Sequence, residues 1–323
     1  MLSRSSSIRI QPFTGYRTPT RIRLSARVLR GSAPDFEGES VLDTLRTMAA
    51  LYASREVEGC AVALHYAGEV LAHTTSDDEG FVHFDTPFDG ALPPQMRWED
   101  AALHLEDEAS EARLLAPPQQ SAIGIISDID DTIVETGITG SIGAIAKNLH
   151  RILLQSPQQR APVAGAAQFF EQLTNPGGVH QRPCFYVSSS PWNLYPYLRS
   201  FKDQHGLPSG PMLLRDWSFG RETLGSAGHG THKLGAILRL LSDFPEMRFV
   251  LIGDDTQRDL SAFGSIAAQH PDRIAAVFIR RAGADTNPDE AHTRSILAAN
   301  DTPFWTGEHF DDAHAVLAQA GLE

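Results

Sequence analysis

Residues 122–132 read AIGIISDIDDT. The first half, AIGIIS (122–127), is a short isoleucine-rich run without a polar face, the pattern of a strand buried on both sides in a parallel sheet. It runs directly into DIDDT (128–132), so a buried strand delivers carboxylates to its own carboxyl end. In open α/β sheets that is where ligands bind. Side chains two apart in an extended chain face the same way, so Asp128 and Asp130 are expected to project together. Two carboxylates placed side by side repel unless a cation sits among them. Mg2+ favours one or two carboxylates with water and phosphate, and it suits such a pair. Taken alone, DxD also describes an Asx turn with solvated acids.

Outward from this stretch the same grammar repeats. CFYV (184–187), MLL (212–214), RFVLI (248–252) and AAVFI (275–279) are short apolar runs. The amphipathic segments VAGAAQFFEQL (163–173), NLYPYLRSF (193–201) and KLGAILRLL (233–241) separate them. Alternating strands and helices predict an α/β domain over residues 117–323, built on a doubly wound parallel sheet. Further polar groups fall at equivalent strand ends. CFYV leads into Ser188, Ser189 and Ser190, which offer hydroxyls and amides to a phosphate oxygen. RFVLI leads into GDDTQRD, where Gly253 permits a tight turn and Asp254 and Asp255 present carboxylates. Lys233 opens the helix before that strand. Singly these are a serine turn, a loop acid cluster and a surface lysine. Jointly, acid pair, hydroxyl, lysine and second acid pair follow the order a phosphoryl-transfer site requires.

With these residues in place, the chain resembles the haloacid dehalogenase superfamily of Mg2+-dependent phosphotransferases. DIDDT, Ser188, Lys233 and GDD match its four motifs. More narrowly, SDIDDTIVETGIT, YVSSSPWNLY, LLRDW, HKLGAILRLLSDFP and FVLIGDD resemble the catalytic domain of the actin-patch-associated phosphatidate phosphatases. That resemblance implies Asp128 as nucleophile and Asp130 as general acid and base. It implies Mg2+ held by Asp128, the Asp130 carbonyl and Asp254, with Asp255 or Asp259 in the outer shell. It gives Ser188, Ser189 and Lys233 to the phosphate oxygens and Thr132 to bracing the nucleophile loop. Where relatives usually carry Ser and Gly and then a His, this chain reads Asp255, Thr256, Gln257, Arg258 and Asp259. The implied reaction converts phosphatidate to diacylglycerol through an aspartyl-phosphate.

Substrate access points the same way. Between Thr132 and the helix at Val163 there is room for a flap and a short helix near NLHRILL (148–154), not for a large cap domain. An open site suits a bulky phosphate ester, whether a phospholipid headgroup, a nucleic-acid end or a phosphoprotein. Trp192, Tyr195 and Tyr197 beside Ser188 are candidates for lipid contact, although at least Tyr197 reads as helix packing. A non-catalytic binding module is the remaining alternative, and the intact Asp128, Asp130, Lys233 and Asp254 argue against it.

The N-terminal part speaks another language. Residues 21–29 alternate strictly, with Ile22, Leu24, Ala26 and Val28 on one face and Arg21, Arg23, Ser25 and Arg27 on the other, a half-buried strand. A helix over 39–52, a hairpin of 59–66 and 69–74 turning at Ala67-Gly68, and strands at 81–84 and 96–107 complete the reading. Residues 18–116 are therefore expected as a small antiparallel β domain of sandwich type, preceded by a basic tail, 1–17. Composition is that of a globular protein: 41% hydrophobic and 21% charged, which excludes collagen-like and disordered classes. Two distant cysteines, Cys60 and Cys184, point to a reducing, cytoplasmic setting. The first 30 residues hold seven arginines and no acid, so the net charge of −13 leaves −20 on the rest. That balance excludes bulk attraction to nucleic acid. It leaves Arg4, Arg9, Arg21, Arg23 and Arg27 as the charge that would bring the protein peripherally to an anionic membrane surface.

Overall fold

Short alternating strands in the first part and apolar strands with crossovers in the second fold separately. The computed structural model describes residues 7–31, 33, 47, 55–135, 157, 160–178, 182–215, 227–256, 259–282 and 289–323. The chain divides into two compact units, Met1–Gln119 and Gln120–Glu323.

The first unit holds β1 (Ile8–Pro12), β2 (Gly15–Arg17), β3 (Arg21–Arg30), β4 (Arg55–Glu56), β5 (Ala61–Tyr66), β6 (Glu69–Thr75), β7 (Phe81–Pro87), β8 (Arg97–Leu105) and β9 (Glu108–Ala116). They make one continuous nine-stranded sheet rather than the two sheets of a sandwich, in the order β1-β3-β2-β9-β8-β5-β6 with β4 and β7 also on β3. All pairs are antiparallel except β2 with β9. β3 is the spine. Its alternation buries Ile22, Leu24, Ala26 and Val28 in one apolar core with Val62, Leu64, Phe84, Leu103 and Leu114. Residues 8–17, expected as part of a tail, instead pair with β3 and bring the sheet round to β9. The stretch 96–107 is also more than one strand, because Glu106 takes a left-handed φ of 53° and the chain doubles back into β9. The helix expected over 39–52 lies outside the described residues apart from Thr47.

Several arginines of this unit are engaged within the sheet. Arg21 and Arg23 both pair with Asp85. Arg27 is buried, bonded to Glu56 and stacked 4.7 Å over Phe81. Arg9 donates to the Gly31 carbonyl, and Arg4 lies outside the described residues. Of the arginines expected to meet a membrane, the four described are thus matched within the sheet by two acids, Asp85 and Glu56.

In the second unit β10 (Ile123–Ser127), β11 (Cys184–Pro191), β12 (Met212–Arg215), β13 (Arg248–Asp254), β14 (Ile274–Arg280) and β15 (Phe304–Gly307) form a six-stranded sheet, all parallel. Helices α1 (Ala166–Thr174), α2 (Tyr195–Gln204), α3 (Ala227–Asp243), α4 (Asp259–Gln269), α5 (Asp289–Ala299) and α6 (His314–Gln319) complete it. The strand order is β12-β11-β10-β13-β14-β15. From β10 the chain adds β11 and β12 on one side, then crosses back to lay β13 on the other. The order therefore reverses at β10 and β13, where strand ends splay and leave a crevice. Ile125, Ile126, Phe185, Phe249, Leu251, Val277 and Phe278 are all fully buried in the sheet. Phe169 of α1 stacks on Phe310 at 4.6 Å and meets Phe278 at 5.0 Å, closing the core. The expected flap falls on residues 136–156, 158 and 159, outside the described residues. Its ends are pinned together, since Val163 N donates to Ile133 O and Val134 bridges Pro162.

Candidate active site

Parallel register brings the two acidic strand ends side by side. Ser127 sits opposite Ile252, and Asp128 N donates to Ile252 O at 2.8 Å. One carboxylate oxygen from each of Asp128, Asp254 and Asp259 lies within 4.8 Å of the others, and all three residues are buried. Asp259 opens α4, and Gly253 makes room for it: a Cβ there would lie 2.5 Å from Asp259 Oδ2. That close approach, rather than a turn with positive φ, is what glycine provides at the end of β13.

Lys233, on α3 and 3% exposed, reaches into this cluster. Its Nζ lies 2.6 Å from Asp259 Oδ1 and 2.9 Å from Asp128 Oδ1. The first contact is a hydrogen bond. The second is a charge contact out of line for one, so Asp128 Oδ1 is buried without a hydrogen bond. Thr132, fully buried, donates to Asp128 Oδ2 at 3.3 Å. Asp254 Oδ1 accepts from the Thr256 amide at 2.6 Å and from its hydroxyl. The Asp254 amide donates to Asp259 Oδ2 at 3.3 Å.

Three buried acids against one lysine leave excess negative charge in a dry pocket, and the proton affinities register it. Burial pushes Asp128 well above the usual carboxylate range; Lys233 pulls it down, and Asp259, Asp254 and Asp130 push it further up. Asp254 is raised to about 7 by burial and then by Asp259, against Lys233 and the Thr256 bonds. Burial works against the charge on Lys233, but Asp128, Asp259 and Asp254 outweigh it and hold the ammonium firmly protonated. An all-oxygen donor set of three buried acids facing a single ammonium fits a hard divalent cation.

On the other side of the nucleophile loop, Asp130 Oδ2 accepts from both Ser188 and Ser190 at 2.8 Å. Of the expected residues, Asp128, Thr132, Lys233, Asp254 and Asp259 come together, with Asp130 and Ser188 adjoining. Asp255 does not join the acids: its Oδ1 accepts from the Ala282 amide at 2.8 Å. Ser188 spends its hydroxyl hydrogen on Asp130. Ser189 Oγ is buried without a hydrogen bond, and strand alternation turns it away from its two neighbours. Tyr195 and Tyr197 are buried as packing residues of α2, while Trp192 is half-buried. Lys202 is 3% exposed, with Nζ 3.8 Å from the centre of the Tyr186 ring.

Ser190, expected to offer its hydroxyl to a phosphate oxygen, donates it to Asp130 Oδ2. One residue of the neighbourhood escaped the sequence reading. Arg280, at the end of β14, donates to the Asp131 carbonyl at 2.7 Å and to the Glu308 carbonyl at 3.2 Å. No motif announced it.

Residues 123–281 match the family model described as phosphatidate phosphatase APP1, catalytic domain. Phosphatidate phosphatase APP1 of Saccharomyces cerevisiae is 28% identical over 216 residues, covering 67% of this chain and 33% of the yeast protein. An uncharacterized protein of Schizosaccharomyces pombe is 28% identical over 179 residues, 54% of this chain and 28% of its own. The chain thus spans about a third or less of these curated relatives. A solved carbohydrate esterase matches 91% of this chain and 98% of its own at 11% identity and a TM-score of 0.23, too slight a likeness to bear on the fold. The matched segment contains every acid, hydroxyl and lysine of the site, and over residues 123–281 the chain is similar to the APP1-type phosphatidate phosphatase catalytic domain.

Proposed function

We propose that this chain is a Mg2+-dependent phosphatase of the haloacid dehalogenase type that hydrolyses phosphatidate to diacylglycerol. The observation that carries the reading is the buried cluster of Asp128, Asp254, Asp259 and Lys233 at the point where the strand order reverses. Similarity to the APP1 catalytic domain supports the lipid substrate, and the strand order supports a doubly wound fold.

Asp128 is the nucleophile, its carboxylate held by Thr132 at Oδ2 and by the charge of Lys233 at Oδ1. It attacks phosphorus and forms an aspartyl-phosphate, which water then hydrolyses. Lys233 stabilises charge on the transferring phosphoryl group. Asp130, half-buried and within reach of substrate, protonates the leaving alkoxide and later takes the proton of the attacking water. Asp128 and Asp254, with Asp259 behind them, would hold Mg2+. When bound, the ion shields the phosphoryl oxygens from the carboxylates and lowers the barrier to their approach. Asp259 rather than Asp255 would complete that shell, because it is Asp259 whose carboxylate oxygen lies within 4.8 Å of those of Asp128 and Asp254.

A lipid substrate implies peripheral contact with a membrane. Among the described residues no helix is long and apolar enough to cross one. Cys60 and Cys184 are free thiols, and a cytoplasmic setting is part of this proposal. The test is release of inorganic phosphate from a panel of phosphatidate, diacylglycerol pyrophosphate, nucleotides and sugar phosphates, with Mg2+ and with EDTA. Preferential, EDTA-sensitive turnover of phosphatidate is expected; no release from any member would overturn the reading.

A further inference from the structure

The serine run at the end of β11 does more than offer a hydroxyl to phosphate. Ser190 N donates to Ser188 Oγ at 2.9 Å. With that lone pair engaged, the Ser188 hydroxyl hydrogen is directed at Asp130 Oδ2, 2.8 Å away. The Ser190 hydroxyl reaches the same oxygen, also at 2.8 Å. Spacing of two along an extended strand is what puts both hydroxyls on one side. Two donors converging on Oδ2 fix the orientation of the carboxyl group and make Oδ2 an acceptor. The exchangeable proton of Asp130 is thereby confined to Oδ1.

We infer that Ser190 is a positioning residue which, with Ser188, presents Oδ1 of Asp130 to the leaving group. The inference rests on the phosphatase reading above. In the first step the bond from phosphorus to the leaving oxygen breaks as the Asp128 oxygen–phosphorus bond forms. The Oδ1 proton passes to the leaving oxygen, giving a neutral alcohol. In the second, Oδ1 takes a proton from water as the water oxygen displaces Asp128 from phosphorus, and inorganic phosphate leaves. Ser190 touches no reacting atom; it keeps the proton on the correct oxygen in the correct direction.

The consequence depends on the leaving group. A glycerol-type alkoxide must be protonated as it departs, whereas 4-nitrophenolate departs with little help. A positioned general acid contributes 10²–10⁴-fold, and losing one of its two anchors should forfeit part of that. Turnover of a soluble short-chain phosphatidate and of 4-nitrophenyl phosphate is compared in wild type, Ser190→Ala and Ser190→Thr, with thermal unfolding as the check on folding. Ser190→Ala should lose about tenfold more rate on the alkyl ester than on the aryl ester. Ser190→Thr, which keeps the hydroxyl, should restore the ratio. Equal losses on both esters, or none on either, would overturn the positioning role while leaving the phosphatase intact. A wild type that releases phosphate from neither ester would overturn the phosphatase reading and this inference with it.

Discussion

Asp128 carries the account, and its surroundings make a prediction opposite to that for an ordinary buried residue. Three carboxylates share one ammonium, and burial holds Asp128 and Asp254 above their usual range. Asp128→Asn keeps the shape and removes one of the repelling charges. Thermal unfolding without metal should show equal or greater stability than wild type, and a clearly less stable mutant would contradict the charge argument. Lys233 is the reverse case. Removing it strands Asp128 and Asp259 in a dry pocket, a loss on the order of 3–5 kcal/mol. Lys233→Ala is therefore expected to be destabilised as well as slow, by urea unfolding and by phosphate release. Lys202 shows where residue-level reading stopped short. The apolar stripe of its helix was followed to Phe201, yet Tyr195, Leu198 and Lys202 stand at i, i+3 and i+7, one buried face. Burial lowers its pKa to about 8, so it is a packed lysine of that face.

At the scale of elements, β10, β11 and β13 were legible because strands buried on both faces are continuous apolar runs ending in polar residues. β9 was not, because its hairpin turns at Glu106-Asp107 without the Gly or Asn that usually marks a left-handed position. The sequence motifs also named the acids without deciding between Asp255 and Asp259. The start of α4 and the space left by Gly253 place Asp259, and not Asp255, beside Asp128 and Asp254. The nucleophile loop has one further dependence, on Arg280. Asp131 sits at a φ of 55°, costly for a residue with a Cβ, and its carbonyl is tied to the Arg280 guanidinium. Arg280→Ala leaves that carbonyl without this donor, a cost of about 1–3 kcal/mol. Turnover should fall, and Arg280→Lys should restore it only in part, because an ammonium cannot reach both the Asp131 and Glu308 carbonyls as the planar fork does. Full activity in Arg280→Ala would show that the loop holds its shape unaided.

Across the whole molecule, the two units carry buried acids that respond to pH in opposite directions. In the β unit Glu99 is held by Arg17 at 2.5 Å and by the Tyr66 hydroxyl at 2.5 Å, and Arg97 also donates to it. Burial resists its charge, but these donors prevail and bring its pKa down to about 2. Its contribution is present above the unfolded value near 4.3 and fades as pH falls toward 2. Asp254 is raised instead, so in metal-free protein its contribution is present below about 4 and is lost as pH rises through about 7. Calorimetry of the metal-free protein should show Glu99→Gln flattening the acid limb between pH 2 and 4.5, and Asp254→Asn flattening the decline between pH 4 and 7. Mg2+ competes with the proton on Asp254, so the rise in unfolding temperature caused by Mg2+ should be greater at pH 8 than at pH 5. The strict alternation of β3 foretold a half-buried strand. It did not reveal that residues 8–17 belong to the same sheet, because strands of five and three residues are too short to show a period.

The central claim is that Asp128 performs nucleophilic phosphate transfer with a divalent cation beside it. The most direct measurement is release of inorganic phosphate from phosphatidate by wild type and by folded Asp128→Asn, each with Mg2+ and with EDTA. The account predicts turnover by wild type with Mg2+ alone and none above background from Asp128→Asn under either condition. Appreciable Mg2+-dependent turnover by Asp128→Asn would contradict it.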